Sequence, residues 1–241
     1  MSAALSRRTF LAQGAAAGLV LAIDPLRVVS AAEEPGAALA PTPFLRIGAD
    51  DSITVWVGRS EMGQGVRTAL PMLIAEELDV DLSRVRLEQA TPGPDFKDLN
   101  TGGSDSVTSG WGPLRDTGAA AREMLISAAA AEWGVPRGAC RTENGFVLHA
   151  ASGRKLAYGR LAARASRLSV PKNPPWKERA RLRLLGTRVA RLDGPAIVTG
   201  RAVYGFDAVV PGMLYAAVAR CPVPGGKAAG FDDARSRAVR G

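Results

Sequence analysis

Apolar and polar residues alternate along Ile53, Thr54, Val55, Trp56 and Val57, the two-residue period of a strand with one buried face. Phe44 to Ile47 carries a matching short run, and Asp50-Asp51 between the two marks a hairpin. Thr68 to Leu78 changes to helical spacing, and Val85 to Gln89 returns to a strand. A longer helix is expected to open at Gly112-Pro113, with Asp116 in its first turn, and to run through Ala119 to Trp133 until Gly134 and Pro136 stop it. Its alanines at 119–121 and 128–131 permit close backbone approach and should be core. Asn144-Gly145 reads as a hairpin turn, Ser152-Gly153 turns the chain again, and Tyr158 to Leu168 is the next helix. Further strands are expected after Asp193, around Val203, Tyr204 and Phe206 and over Leu214 to Ala219. The order of strand, helix, strand, helix, hairpin and helix makes the fold class α+β.

Two segments between these elements carry candidate chemistry. Glu61-Met62-Gly63-Gln64-Gly65-Val66-Arg67-Thr68 places two glycines between a strand and a helix. Glycines let backbone N–H groups approach a ligand without a Cβ in the way, and the helix start aims its unpaired N–H groups and positive dipole end the same way. Asn100-Thr101-Gly102-Gly103-Ser104-Asp105-Ser106 repeats the design with hydroxyls added, which suits a phosphate or a polar heterocycle. Either segment alone is also compatible with a plain flexible connection.

Together the segments resemble the molybdopterin-binding large subunit of the xanthine dehydrogenase and aldehyde oxidase superfamily, in particular the isoquinoline 1-oxidoreductase beta subunit type. The matching residues are Glu61 to Pro71, Ala75 to Asp81, Thr101 to Val107, Trp111 to Arg115, Arg191 to Pro195, Thr199 to Ala202 and Pro211 to Pro222. The resemblance covers about residues 44 to 241 and implies a molybdopterin-binding α/β domain segment followed by the start of a second, hammerhead-like α+β domain. It also implies a molybdenum hydroxylase that inserts a water-derived oxygen into an aldehyde or N-heterocycle. The implied cofactor is molybdenum on molybdopterin in its cytosine dinucleotide form. The implied partners are a small subunit with [2Fe-2S] clusters and a cytochrome c or quinone as electron acceptor. The cofactor-binding residues carried over are Gly63, Gln64, Gly65, Thr68, Gly102, Gly103, Ser104 and Ser106. Gln64 offers donor and acceptor on one amide, and the glycines and hydroxyls can line a pyrophosphate. Arg67 stands where many such proteins carry histidine.

The glutamate that acts as base in that superfamily, in a G-x-G-E element far toward the C-terminus, has no counterpart here, so no catalytic residue is assigned. Glu61 is expected to be a capping or structural carboxylate rather than a substitute base. The chain therefore reads as the N-terminal part of a longer enzyme and as inactive by itself, with a cofactor-free scaffold or partner-binding module as the alternative. Residues 1–31 are expected to be a twin-arginine signal, from Ser6-Arg7-Arg8-Thr9-Phe10-Leu11, the apolar run Ala15 to Ile23 and the small residues at 29–32. That signal predicts folded export to the periplasm, and its apolar run is too short to span a bilayer. Residues 32–43 should be a flexible arm, 44–170 the cofactor-binding segment, 171–190 a linker and 191–241 the start of the second domain.

Charge changes this picture little. The net charge of +8 invites a nucleic-acid reading, and much of it lies in the run 172–191. Pro171, Pro174 and Pro175 break that run and no aromatic platform accompanies it, so a solvated linker is expected and no nucleic-acid partner. Cys140 and Cys221 have no metal-ligand spacing and are expected as two buried free thiols. His149, the only histidine, lacks metal-binding neighbours and should pack at a strand end.

Overall fold

The computed structural model describes residues 38–97, 99–227 and 229–239, so the expected signal segment lies outside the described residues. The chain divides between Gly194 and Pro195 into two compact units. The architecture is α+β.

In the first unit, β1 (Leu39–Thr42), β2 (Leu45–Ile47), β3 (Ile53–Val57) and β4 (Val85–Gln89) form a sheet in that order. The β1/β2 and β2/β3 pairs are antiparallel, and β3/β4 is parallel with Val57 opposite Gln89. A parallel pair needs a crossover. Helix α1 (Val66–Glu77) supplies it. Strand β1 falls inside the stretch expected to be a flexible arm, because Leu39 is buried in the core and pairs with Ile47.

Helix α2 (Ser106–Trp133) lies against α1. It begins well before the expected start at Gly112-Pro113, so Pro113 sits inside it and Asp116 is no longer in its first turn. Packing overrides the positional preference of proline here. Gly110 fits so closely that a Cβ would lie 3.2 Å from Leu70. At Gly118 the two backbones meet, and a Cβ would lie 2.7 Å from the Ile74 carbonyl oxygen. The predicted stop holds, with Gly134 in the left-handed region.

A meander of β5 (Cys140–Glu143), β6 (Phe146–His149) and β7 (Arg154–Ala157) follows, with Asn144 and Gly145 both at positive φ in the predicted turn. Helix α3 (Tyr158–Ala165) closes this part, and the buried Tyr158 hydroxyl donates to the Leu78 carbonyl at 2.6 Å. His149 ends β6, is buried, and its Nδ1 lies 2.7 Å from Ser152 Oγ. Cys140 is buried, and that burial pushes its thiol pKa up, but Cys221 is exposed rather than buried as expected.

Most of the basic stretch is exposed, with Lys172, Arg179, Arg181, Arg183 and Arg188 open to solvent, but Lys177 is buried. Lys177 Nζ donates to Glu76 at 2.6 Å and to Asp79 at 2.7 Å, while the N–H groups of Arg183, Leu184 and Leu185 reach the other oxygen of Glu76 at 2.8, 2.6 and 3.0 Å. Beside it Glu77, fully buried, pairs with Arg115 at 2.5 Å and Arg122 at 2.7 Å. The stretch is thus a strap tied across the end of α1. Proline and arginine looked like linker composition, but buried carboxylates at 76, 77 and 79 supply partners that a window on the stretch itself cannot reveal.

In the second unit, α4 (Gly194–Val198) begins at the boundary and α5 (Ala234–Arg237) lies near the end. No strand occurs there among the described residues, contrary to expectation. Leu214, Tyr215 and Val218 are exposed, and an apolar alternation without a paired neighbour or a covering layer does not hold a strand.

Candidate functional site

Loop 58–65 leaves the carboxyl end of β3, and residues 90–105 leave the carboxyl end of β4. Because those strands are adjacent and parallel, both glycine segments emerge on one edge of the sheet, the side on which open α/β sheets take ligands. Side chains then join them. The Ser60 N–H donates to Thr101 Oγ1 at 2.8 Å, and that hydroxyl returns a bond to the Ser60 carbonyl at 3.1 Å. Arg59 donates to the Asn100 carbonyl and, at 3.2 Å, to Ser109 Oγ. A cleft of about 300 Å³ opens beside them, lined by Phe44, Trp56, Leu70, Phe96 and Ser106 among others.

The first loop is shaped by Gly63 at φ 101° and Gly65 at φ 88°. A Cβ at either would meet nothing within 4 Å, so conformation, not crowding, demands glycine. Glu61 turns back into this loop. Its carboxylate accepts the N–H of Gly63 at 2.8 Å, of Gly65 at 2.9 Å and of Arg67 at 3.1 Å. Burial pushes its pKa up, but those N–H groups and the nearby Arg191 guanidinium outweigh it and hold the group below the ordinary range, so it is ionised. The capping role expected of Glu61 is what the geometry shows.

Gln64 is folded into the same loop, its amide oxygen accepting from the Met62 N–H at 2.6 Å and its nitrogen donating to the Ser60 carbonyl at 3.0 Å. Thr68 Oγ1 is buried and accepts the Leu192 N–H at 2.9 Å. In the second loop Gly103 and Ser104 are exposed at φ 60° and 59°, Gly102 is exposed, and Ser106 is buried at the start of α2 and lines the cleft. The eight expected residues therefore lie on the two joined loops and in the first turns of the helices that follow them, with Gly63, Gln64, Gly102, Gly103 and Ser104 on the open side and Thr68 and Ser106 buried.

Arg191 and Asp193 belong to the Arg191–Pro195 motif, and the structure gives them a place at the site. Arg191 reaches Glu61 at 3.3 Å, Asp193 at 2.8 Å and the Gly63 carbonyl at 2.9 Å. Its hydrogen bond to Asp193 raises the Arg191 pKa and lowers that of Asp193, so both stay charged. No signal near the glycine loop could have located them, since the contact spans more than a hundred residues. A second feature is the Nε of Arg67, which is buried without a hydrogen-bond partner. Open space around three loop glycines and an orphaned donor beside them fit a polar, anionic group.

A fold that joins two glycine loops at the carboxyl edge of a parallel strand pair defines a ligand-binding α+β domain. The chain belongs to the molybdopterin cofactor-binding domain family, whose profile matches residues 9–194. It is 33% identical to the beta subunit of isoquinoline 1-oxidoreductase from Brevundimonas diminuta, covering 98% of this chain and 36% of that one. It is 34% identical to the membrane-bound pyrroloquinoline-quinone aldehyde dehydrogenase of Gluconacetobacter polyoxogenes, covering 99% and 32%. The crystal structure of quinoline 2-oxidoreductase from Pseudomonas putida 86 superposes with a TM-score of 0.43 at 20% identity, covering 51% of this chain and 15% of that one. These relatives are oxidoreductases. The chain spans about a third of the length of the curated relatives it matches.

Proposed function

We propose that this chain forms the first cofactor-contacting part of a molybdenum hydroxylase that oxidises an aldehyde or an N-heterocycle with oxygen from water. The observation that carries this reading is the joining of both glycine loops through Ser60, Thr101, Arg59 and Ser109 on one sheet edge. When bound, molybdenum on molybdopterin would supply the oxidising centre. The exposed Gly63, Gln64, Gly102, Gly103 and Ser104 are the contact groups, while Gly65, Thr68 and Ser106 shape the wall behind them. The cytosine dinucleotide form, a [2Fe-2S] partner subunit, a cytochrome c or quinone acceptor and periplasmic export belong to the same proposal. Export rests on the twin-arginine pattern at Ser6 to Leu11. The described residues contain no helix long and apolar enough to cross a membrane.

Protein purified from the native host should contain molybdenum and a pterin dinucleotide. A metal-free preparation with full oxidase activity would reject the proposal. One observation favours a cofactor-free scaffold instead: Glu61 already occupies the amides of the first loop. A stable protein that captures its partner subunit while carrying no pterin would establish that second reading.

A further inference from the structure

The cleft of about 300 Å³ beside the joined loops has the size and composition of a small-molecule site. Its inner face is aliphatic, formed by Val55, Val57, Leu70 and Leu114, all of them buried. One wall is aromatic, with the rings of Phe44 and Phe96 edge to face and their centroids 5.5 Å apart. Asp95 and Lys97, both exposed, put opposite charges at the mouth, so it favours neither an anion nor a cation. An ionised ligand would also lose its hydration against the aliphatic face.

One buried polar side chain interrupts that apolar lining. Ser106 lines the cleft at 8% exposure, and its hydroxyl has no hydrogen-bond partner among the described residues. A hydroxyl withdrawn from water without a partner is destabilising, and a ligand atom supplied there removes that cost. Its position selects the kind of atom. Ser106 is the first residue of α2, Asp105 before it provides no side-chain cap, and the positive end of a 28-residue helix favours an acceptor opposite the hydroxyl. At the rim, Arg59 and Ser109 are already joined to each other.

We propose that this cleft binds a neutral aromatic molecule, its ring between the Phe44–Phe96 wall and the aliphatic face and its one acceptor, such as a carbonyl oxygen, taking the Ser106 hydroxyl. This goes beyond the cofactor-binding reading. The site requires no pterin, so it can fail while that reading stands, and pterin content is measured separately on the same protein.

The full chain, isotope-labelled, is titrated by NMR with acetophenone and with α-methylstyrene, which has the same shape with a methylene in place of the carbonyl oxygen. Acetophenone should give saturable shifts confined to the amides of 55–59, 96–97 and 106–114. Ser106→Ala should keep a urea midpoint no lower than wild type, bind acetophenone about three- to tenfold more weakly and bind α-methylstyrene unchanged. Phe96→Ala should weaken both compounds. The proposal is overturned by the absence of saturable shifts with acetophenone, by equal affinity of wild type for the two compounds, or by Ser106→Ala binding acetophenone like wild type. Shifts of the same amides with protein concentration alone would also overturn it, since they would assign the cleft to a second copy of the chain.

Discussion

Replacing Glu77 by glutamine should destabilise the first unit more than any exposed charge change. Glu77 is fully buried, and its carboxylate receives Arg115 through Nε at 2.8 Å and Nη2 at 2.5 Å, Arg122 at 2.7 Å and the Lys177 N–H at 3.0 Å. The amide keeps the shape but removes the charge and turns one acceptor into a donor that faces another donor. Breaking a buried ion network by removing one partner costs about 3–5 kcal/mol. Against a typical stability of roughly 5–15 kcal/mol this is a large fraction. At about 2–4 °C per kcal/mol for a unit of this size, Tm should fall by roughly 6–20 °C. Urea unfolding followed by tryptophan fluorescence reads the change where it occurs, because the Trp176 ring lies 4.4 Å from the Arg115 guanidinium and its Nε1 donates to Asp116 at 2.7 Å. Glu88→Gln is the control. Its pair with Arg86 is exposed, and the change should stay within about 0.5 kcal/mol. A Glu77→Gln protein within about 1 kcal/mol of wild type would show that the buried charges contribute little and would refute the reasoning.

Acid should loosen the strap before it unfolds the sheet. Burial pushes the Glu76 pKa up, but Lys177 and the N–H groups of Leu185, Leu184 and Arg183 outweigh it and hold the group below its ordinary 4.5. A depressed carboxylate adds stability that is complete above about pH 4.5 and is lost as pH falls through the lower folded value. The protection of the Arg183 to Leu185 amides, with exchange measured against the intrinsic rate at each pH, should therefore fall as pH drops below 4.5, and protection unchanged down to global unfolding would contradict the assignment. Gly118→Ala should cost about 1–3 kcal/mol or more by urea unfolding, because its Cβ would meet Ile74 O at 2.7 Å and Glu77 Cβ at 2.8 Å. Gly112→Ala, which meets nothing outside its own helix but precedes Pro113, should cost less than Gly118→Ala, and equal effects at both positions would show that the close helix crossing is wrong.

Local patterning carried much of the fold. Alternation at 53–57 and 85–89, the Asn144-Gly145 turn and the Gly134 stop are each decided within a few residues, so they were legible in the chain. The start of α2 was not, because proline's preference for a first turn yields to Gly110 packed on Leu70. Strand β1 was missed because Leu39 earns its place only by pairing with Ile47. The strands expected after Asp193 failed for the opposite reason, since their pattern lacks partners among the described residues.

The amino-acid order by itself determined the two glycine loops and their place after a strand and before a helix, because those depend on the absence of a Cβ and on short-range periodicity. Only the tertiary structure decided that the loops share one edge, through the parallel pairing of β3 with β4. It alone set Glu61 in the amide hole under Arg191, left Arg67 Nε without an acceptor, and tied Lys177 to Glu76 and Asp79. Those are contacts between charges far apart in the chain. Their strength depends on water being excluded around them, a property of packing that no window of sequence contains.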